Sequence, residues 1–174
     1  MHPLRMESLY EILAIIFLVS FVIPSISISA LRWTKYITDF SLADRKQRFT
    51  PVFFIGCFYS IAAYMFYTKI SVNHLVFLIF TVITALIFLL LFITFFWKIS
   101  IHGAGAGGVL GIFLAIAIGN PIASVAYLLA GIVLMNGLII FARLAVNAHT
   151  PNQVYTGATL GLIVCFFAVY FMIY

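Results

Sequence analysis

The sequence predicts an all-α fold, a six-transmembrane-helix bundle forming one integral membrane domain over residues 1–174. Three observations lead there. Of 174 residues, 66% are hydrophobic and only 7% charged, where a soluble domain is nearer half apolar and about a quarter charged. The apolar runs are continuous and long enough to cross a hydrocarbon layer of roughly 30 Å. They do not alternate apolar with polar, as barrel strands would. Finally, proline and turn residues mark several of the breaks between them.

The spans are taken in order. The first, about 9–31, follows Arg5 and carries Pro24 and the run SISISA. That pattern resembles a secretory signal peptide; it is read here as a first membrane helix. The second, 51–68, opens on Pro51, which suits a first helical turn because the missing N–H has no partner to lose there. A short, weakly marked break at Thr68–Ser71 leads to the third, 72–97. The fourth, 103–118, is glycine-rich and ends at the turn signal Gly119-Asn120. Pro121 opens the fifth, 121–142, and Pro151 the last, 151–173. Cys57 and Cys165 both fall inside spans and read as buried free thiols.

The net charge of +5 does not point to nucleic acid, because no basic stripe with interleaved aromatics is present. Its distribution is more telling. Six spans put the loops 32–50, 98–102 and 143–150 on one side. That side carries Arg32, Lys35, Asp39, Asp44, Arg45, Lys46, Arg48, Lys98, Ser100, His102, Arg143, His149 and Gln153. The other holds little besides Arg5, Glu7, Glu11, Lys69 and His74. Ionisable groups near a membrane are costly and mark functional sites.

Each candidate also has a purely structural role open to it. Thr150, Pro151 and Gln153 form the capping-box pattern T-x-x-Q, in which Gln153 bonds the Thr150 N–H. Gln153 also lies four residues from His149, within reach of it. Arg143 suits a snorkelling interfacial arginine, and Lys98 after Trp97 a membrane anchor. His102 suits helix capping or packing, and His74 reads as interfacial, without a role. Gly103, Gly107, Gly111, Gly157 and Gly161 recur at the four-residue spacing that lets membrane helices pack closely. The same helix start at HGAGAGG exposes N–H groups that suit an anion. Arg45 and Arg48 fall one turn apart if their loop is helical. Arginine grips phosphate oxygens with two prongs.

Together these residues suit a phosphate. One histidine attacks phosphorus and forms a phosphohistidine, the other protonates the leaving oxygen, and the arginines stabilise charge on the equatorial oxygens. No cofactor is expected and no metal, because carboxylates are scarce and Glu7 and Glu11 lie on the opposite side. A serine hydrolase is disfavoured, because no Ser-His-acid set or nucleophile elbow is visible.

These residues resemble the type-2 phosphatidic acid phosphatase superfamily, whose motifs are K-x6-R-P, P-S-G-H and S-R-x5-H-x3-D. Ala142-Arg143, five residues, His149, three residues and Gln153 resemble the last of these. Ile99-Ser100-Ile101-His102 is similar to P-S-G-H, and Arg45-Lys46-Gln47-Arg48 followed by Pro51 is similar to K-x6-R-P. The resemblance spans residues 44–161 or so, and Arg-x5-His is its most specific part. It implies the six-helix lipid phosphatase fold and metal-independent hydrolysis of lipid phosphates such as undecaprenyl pyrophosphate, phosphatidylglycerophosphate, phosphatidate or lipid A. It makes His149 the nucleophile and His102 the general acid. Arg143, Arg48, Arg45 or Lys98, and the backbone after Ser100, would bind the phosphate.

The departures are specific. Ser41 stands where the first motif has lysine, with Lys98 or Lys46 as substitutes. Ile99 and Ile101 replace the proline and glycine of P-S-G-H. Gln153 replaces the aspartate that orients the nucleophile. Gln153 therefore predicts a slow enzyme, another orienting group such as Asp44, or a non-catalytic relative that binds phosphate headgroups or serves as an accessory membrane subunit. The partner expected is a phosphorylated lipid. The expected location is the cell (inner) membrane, the site facing the periplasm by resemblance. The positive-inside rule decides nothing once Arg45, Arg48, Lys98 and Arg143 are set aside as site candidates.

Overall fold

A computed structural model describes residues 6–38, 45–68, 73–119 and 123–174. Of the described residues 89% are helical and none is in a strand, and six helical spans among them are long and apolar enough to cross a membrane. Large apolar side chains such as Phe92, Leu134 and Phe171 lie exposed along them, as lipid-facing surfaces require. Hydroxyls inside the spans bond back to their own helix: Ser60 to Gly56 O at 2.8 Å and Thr94 to Leu90 O at 2.7 Å. That satisfies them where no water is present.

The chain divides into two compact units, residues 1–81 and 82–174. In the first, α1 (Met6–Phe17) runs into a π-helical turn, Leu18–Val22, and on into α2 (Ile23–Trp33). Pro24 explains the wide turn. Its ring would collide with the carbonyl of Ser20, four residues back, and a π turn relieves that collision. The Ile23 N–H accordingly reaches Leu18 O. Lys35, at φ 60°, closes α2 with the paired bonds of a Schellman motif, Tyr36 N–H to Leu31 O at 2.9 Å and Lys35 N–H to Arg32 O at 3.1 Å.

The next helix, α3, covers Arg45–Thr68, which corrects the expected start at Pro51. Pro51 sits inside the helix, where it removes the donor to the carbonyl of Gln47. The early start is tied down by side chains. Gln47 Oε1 accepts the Thr38 N–H at 2.8 Å, and Tyr36 OH lies 3.0 Å from Thr50 Oγ1. Asn73 Oδ1 caps α4 (His74–Phe96) by accepting the Leu75 N–H at 2.9 Å. The exposed ring of His74 rests on Phe77. Ala62, Ala63, Phe66 and Phe80 form the core of this unit.

The second unit holds the rest of α4 with α5 (Ile101–Gly119), α6 (Ala123–Ala145) and α7 (Pro151–Ile173). The glycine spacing has the packing role expected of it. A Cβ on Gly107 would run into the backbone carbonyl of Ala158, and one on Gly161 into that of Ala104. Here α5 and α7 touch backbone to backbone, which only a hydrogen in place of a side chain permits. Gly103 faces Val154 and Gly111 faces Leu162, so the contacts advance together and the helices run parallel. Both cysteines are free, Cys165 buried against Gly108. The turn at Gly119-Asn120 and the start at Pro121 involve Asn120 and Pro121, outside the described residues, as are Arg5, Asp39, Ser41, Asp44 and Lys69.

Candidate functional site

Because α5 and α7 are parallel and in contact, their N-termini lie side by side. Each start is built by its own cap. Ser100 is fully buried; its Oγ accepts the Gly103 N–H at 3.2 Å and its carbonyl the Ala104 N–H at 2.9 Å. Its own N–H donates to Gln153 O at 3.1 Å, joining the two helix starts. Thr150 is extended, at φ −73° and ψ 157°, with Pro151 as the first helical residue. Two adjacent helix N-termini add their partial positive charges.

The connection from α6 to α7 is equally specified. Asn147 takes the left-handed conformation at φ 51°. The Ala148 N–H returns to Arg143 O at 3.3 Å and the Asn147 N–H to Leu144 O at 3.0 Å. This is another Schellman motif, and it fixes the path from Arg143 to His149. The Arg-x5-His spacing thus corresponds to one helix end, one left-handed residue and one helix start.

His149 is buried at 7% exposure. Its Nδ1 lies 3.1 Å from Gln153 Oε1, and the same oxygen accepts the Thr150 N–H at 3.2 Å. The backbone amide can only donate, so the atom facing it is the amide oxygen of Gln153, not its nitrogen. Nδ1 must then carry the hydrogen in the neutral ring, and the lone pair falls on Nε2. The two readings of Gln153 are therefore not alternatives. One oxygen caps α7 and orients the imidazole.

The remaining candidates are placed as follows. His102 is exposed on the first turn of α5, two residues after Ser100. Lys98 is half-buried between α4 and α5, beside a tight turn in which the Ile99 N–H meets Trp97 O at 3.0 Å. Arg143 lies in the last turn of α6. Its Nε is buried with no hydrogen-bond partner among the described residues, and such a donor costs roughly 1–3 kcal/mol until something accepts from it. Arg45 and Arg48 belong to the first unit, one turn apart on α3, and Arg48 is 4% exposed; the side chain of Arg45 is outside the description.

Two residues escaped the sequence reading. Asn147 carries the signal of asparagine just past a helix end. Asn136, the sole amide of its span, bonds α6 to α5 through Nδ2 to Ala106 O at 2.9 Å. Against this geometry, no family model, no curated protein and no solved structure matches the chain.

Proposed function

We propose that the chain is a membrane lipid phosphate or pyrophosphate phosphatase working through a phosphohistidine. The observation that carries the reading is the His149–Gln153 pair at 3.1 Å. It holds a buried imidazole with the hydrogen on Nδ1 and the lone pair on Nε2, at the start of α7 beside the start of α5 and six residues after Arg143 at the end of α6. Nε2 attacks phosphorus and a P–N bond forms as the P–O bond to the lipid breaks. His102 gives its proton to the departing oxygen. Water then attacks the phosphohistidine and returns a proton to His102, so that a P–O bond forms as the P–N bond breaks. Arg143, the half-buried Lys98 and the helix start that Ser100 caps hold the charged oxygens.

The test is phosphate release by the purified protein in detergent with a chelator, over a panel of lipid mono- and diphosphates, beside His149→Ala. Release that disappears in the variant supports the reading. No release from any lipid overturns it.

Gln153 favours another reading, a slow or inactive relative that binds phosphate headgroups or serves as an accessory subunit. A neutral amide does not stabilise the cationic phosphoimidazole as a carboxylate would. Radiolabelled phosphate trapped on His149 supports the enzyme; an unreactive protein that co-purifies with phospholipid supports the binder.

By the same resemblance the protein belongs in the cell (inner) membrane with this site on the periplasmic face. A cysteine at the exposed Asn152 then reacts with an impermeant maleimide in intact cells, and labelling only after lysis overturns the orientation.

A further inference from the structure

Between α5 and α6 the second unit opens a groove of about 450 Å³, lined by Val109, Leu128, Gly131, Ile132, Met135 and Ile139 among others. Its interior is apolar apart from Asn136, whose amide nitrogen is committed to Ala106 O and Ile132 O. Gly131 notches the wall, because a Cβ there would meet nothing within 4 Å.

Each wall of the groove is in helical register with a residue of the candidate site that lies about one turn beyond its lining. On α6, Arg143 follows Asn136 by seven residues and Ile139 by four, which keeps it within about 20–40° of the lining stripe. On α5, His102 precedes Ala106 by four and Val109 by seven, on the matching stripe. Asn136 pairs with Ala106, so Arg143 and His102 top the two walls at one end, and Tyr127 marks the other. From Ile139 to Tyr127 the groove runs about 18 Å at 1.5 Å per residue. The turn up to Arg143 adds about 6 Å. The sum exceeds half of a hydrocarbon layer of roughly 30 Å.

We infer that this groove holds one hydrocarbon chain of the lipid whose phosphate lies at Arg143. The inference rests on the phosphate-site reading above, but not on catalysis. The occupant follows from the two ends: a cation one helical turn beyond the lining, whose Nε has no hydrogen-bond partner among the described residues, matches an anionic headgroup, and an apolar slot longer than one leaflet matches an extended chain. The open side of the groove lets the chain enter sideways from the bilayer. Gly131 then limits chain width, since any larger residue there projects into the slot.

The probe is a phosphatidate with a photoreactive diazirine midway along one acyl chain, in nanodiscs of neutral lipid. The same chain on a diacylglycerol is the headgroup control. Expected labelling concentrates on Leu128 and Met135, and phosphatidate exceeds diacylglycerol by about tenfold. Gly131→Phe fills the slot and lowers labelling by about as much. Gly137→Phe leaves it unchanged, because Gly137 also faces open space but does not line the groove. Should Gly131→Phe not fold, Gly131→Leu gives the same contrast. Labelling spread evenly over lipid-facing positions, or equal for both lipids, or undiminished at Gly131, overturns the inference. Labelling as expected from a protein that releases no phosphate sinks the catalytic reading and leaves the groove standing.

Discussion

His149 Nδ1 and the Thr150 N–H converge on a single oxygen, Gln153 Oε1, at 3.1 and 3.2 Å. A carboxylate at this position would do the same two things with a full negative charge. Hydrogen bonds to ionised partners are roughly twice as strong as neutral ones. Gln153→Glu therefore keeps the cap and the ring orientation while stabilising the cationic intermediate, and phosphate release rises by about tenfold. Gln153→Leu removes the acceptor. It costs about 1 kcal/mol of stability through the lost cap and most of the activity, as loss of the orienting group does on the order of 10⁴-fold in an analogous triad. Steady-state release and thermal unfolding measure the two effects. A Glu variant slower than wild type would sink the orienting role.

The backbone contacts of α5 and α7 predict a sharp contrast among glycines. Gly161→Ala drives a methyl into the carbonyl of Ala104, and Gly107→Ala into that of Ala158. Each destabilises by about 1–3 kcal/mol, the usual cost of overpacking. It also separates the two helix starts, so activity falls with stability. Gly137→Ala meets nothing within 4 Å and gains roughly 0.5–1 kcal/mol from backbone entropy. Thermal unfolding in detergent ranks the three. Equal midpoints would mean that α5 and α7 do not pack at this distance.

Asn147 tests the loop that links the two strongest site candidates. A β-branched residue in the left-handed region costs about 1–2 kcal/mol, so Asn147→Val destabilises by that amount and displaces His149 from Gln153. Asn147→Gly is tolerated in both respects, because glycine adopts φ 51° without strain. Activity per folded molecule, measured for both variants, checks the outcome. Comparable losses in the two would show that the asparagine side chain, not its backbone angle, is what matters.

Legibility followed the range of the interactions. The spans were readable because apolar runs and prolines act locally. So was the α7 start, where Thr150, Pro151 and Gln153 lie within four positions. The glycine spacing foretold close packing but not its partner, since the sequence holds no record of which carbonyl a glycine meets. Pro51 misled because a proline at N1 and one inside a helix are alike in sequence. The difference lay in Tyr36 and Thr38, whose bonds to Thr50 and Gln47 start α3 six residues earlier. The π turn at Pro24 was marked by the proline alone. The groove was not readable, because it depends on Asn136 reaching a carbonyl thirty residues away.

Arg143 supplies a test that needs no turnover. Its buried Nε has no acceptor among the described residues, so the ligand-free protein bears the cost of a desolvated donor. Arg143→Met keeps the apolar stem and removes that donor. The variant is then as stable as wild type without ligand, or more so. Vanadate or inorganic phosphate supplies the missing acceptor to wild type alone. At a hundredfold excess over Kd, binding adds about 2.7 kcal/mol, which for a chain of this size raises Tm by roughly 5–10 °C. The methionine variant shows no such rise. Chloride at matched ionic strength separates a bound anion from general screening. If the anion stabilises both proteins alike, or if Arg143→Met unfolds more easily than wild type, then Arg143 is a structural anchor at the helix end and not a phosphate ligand.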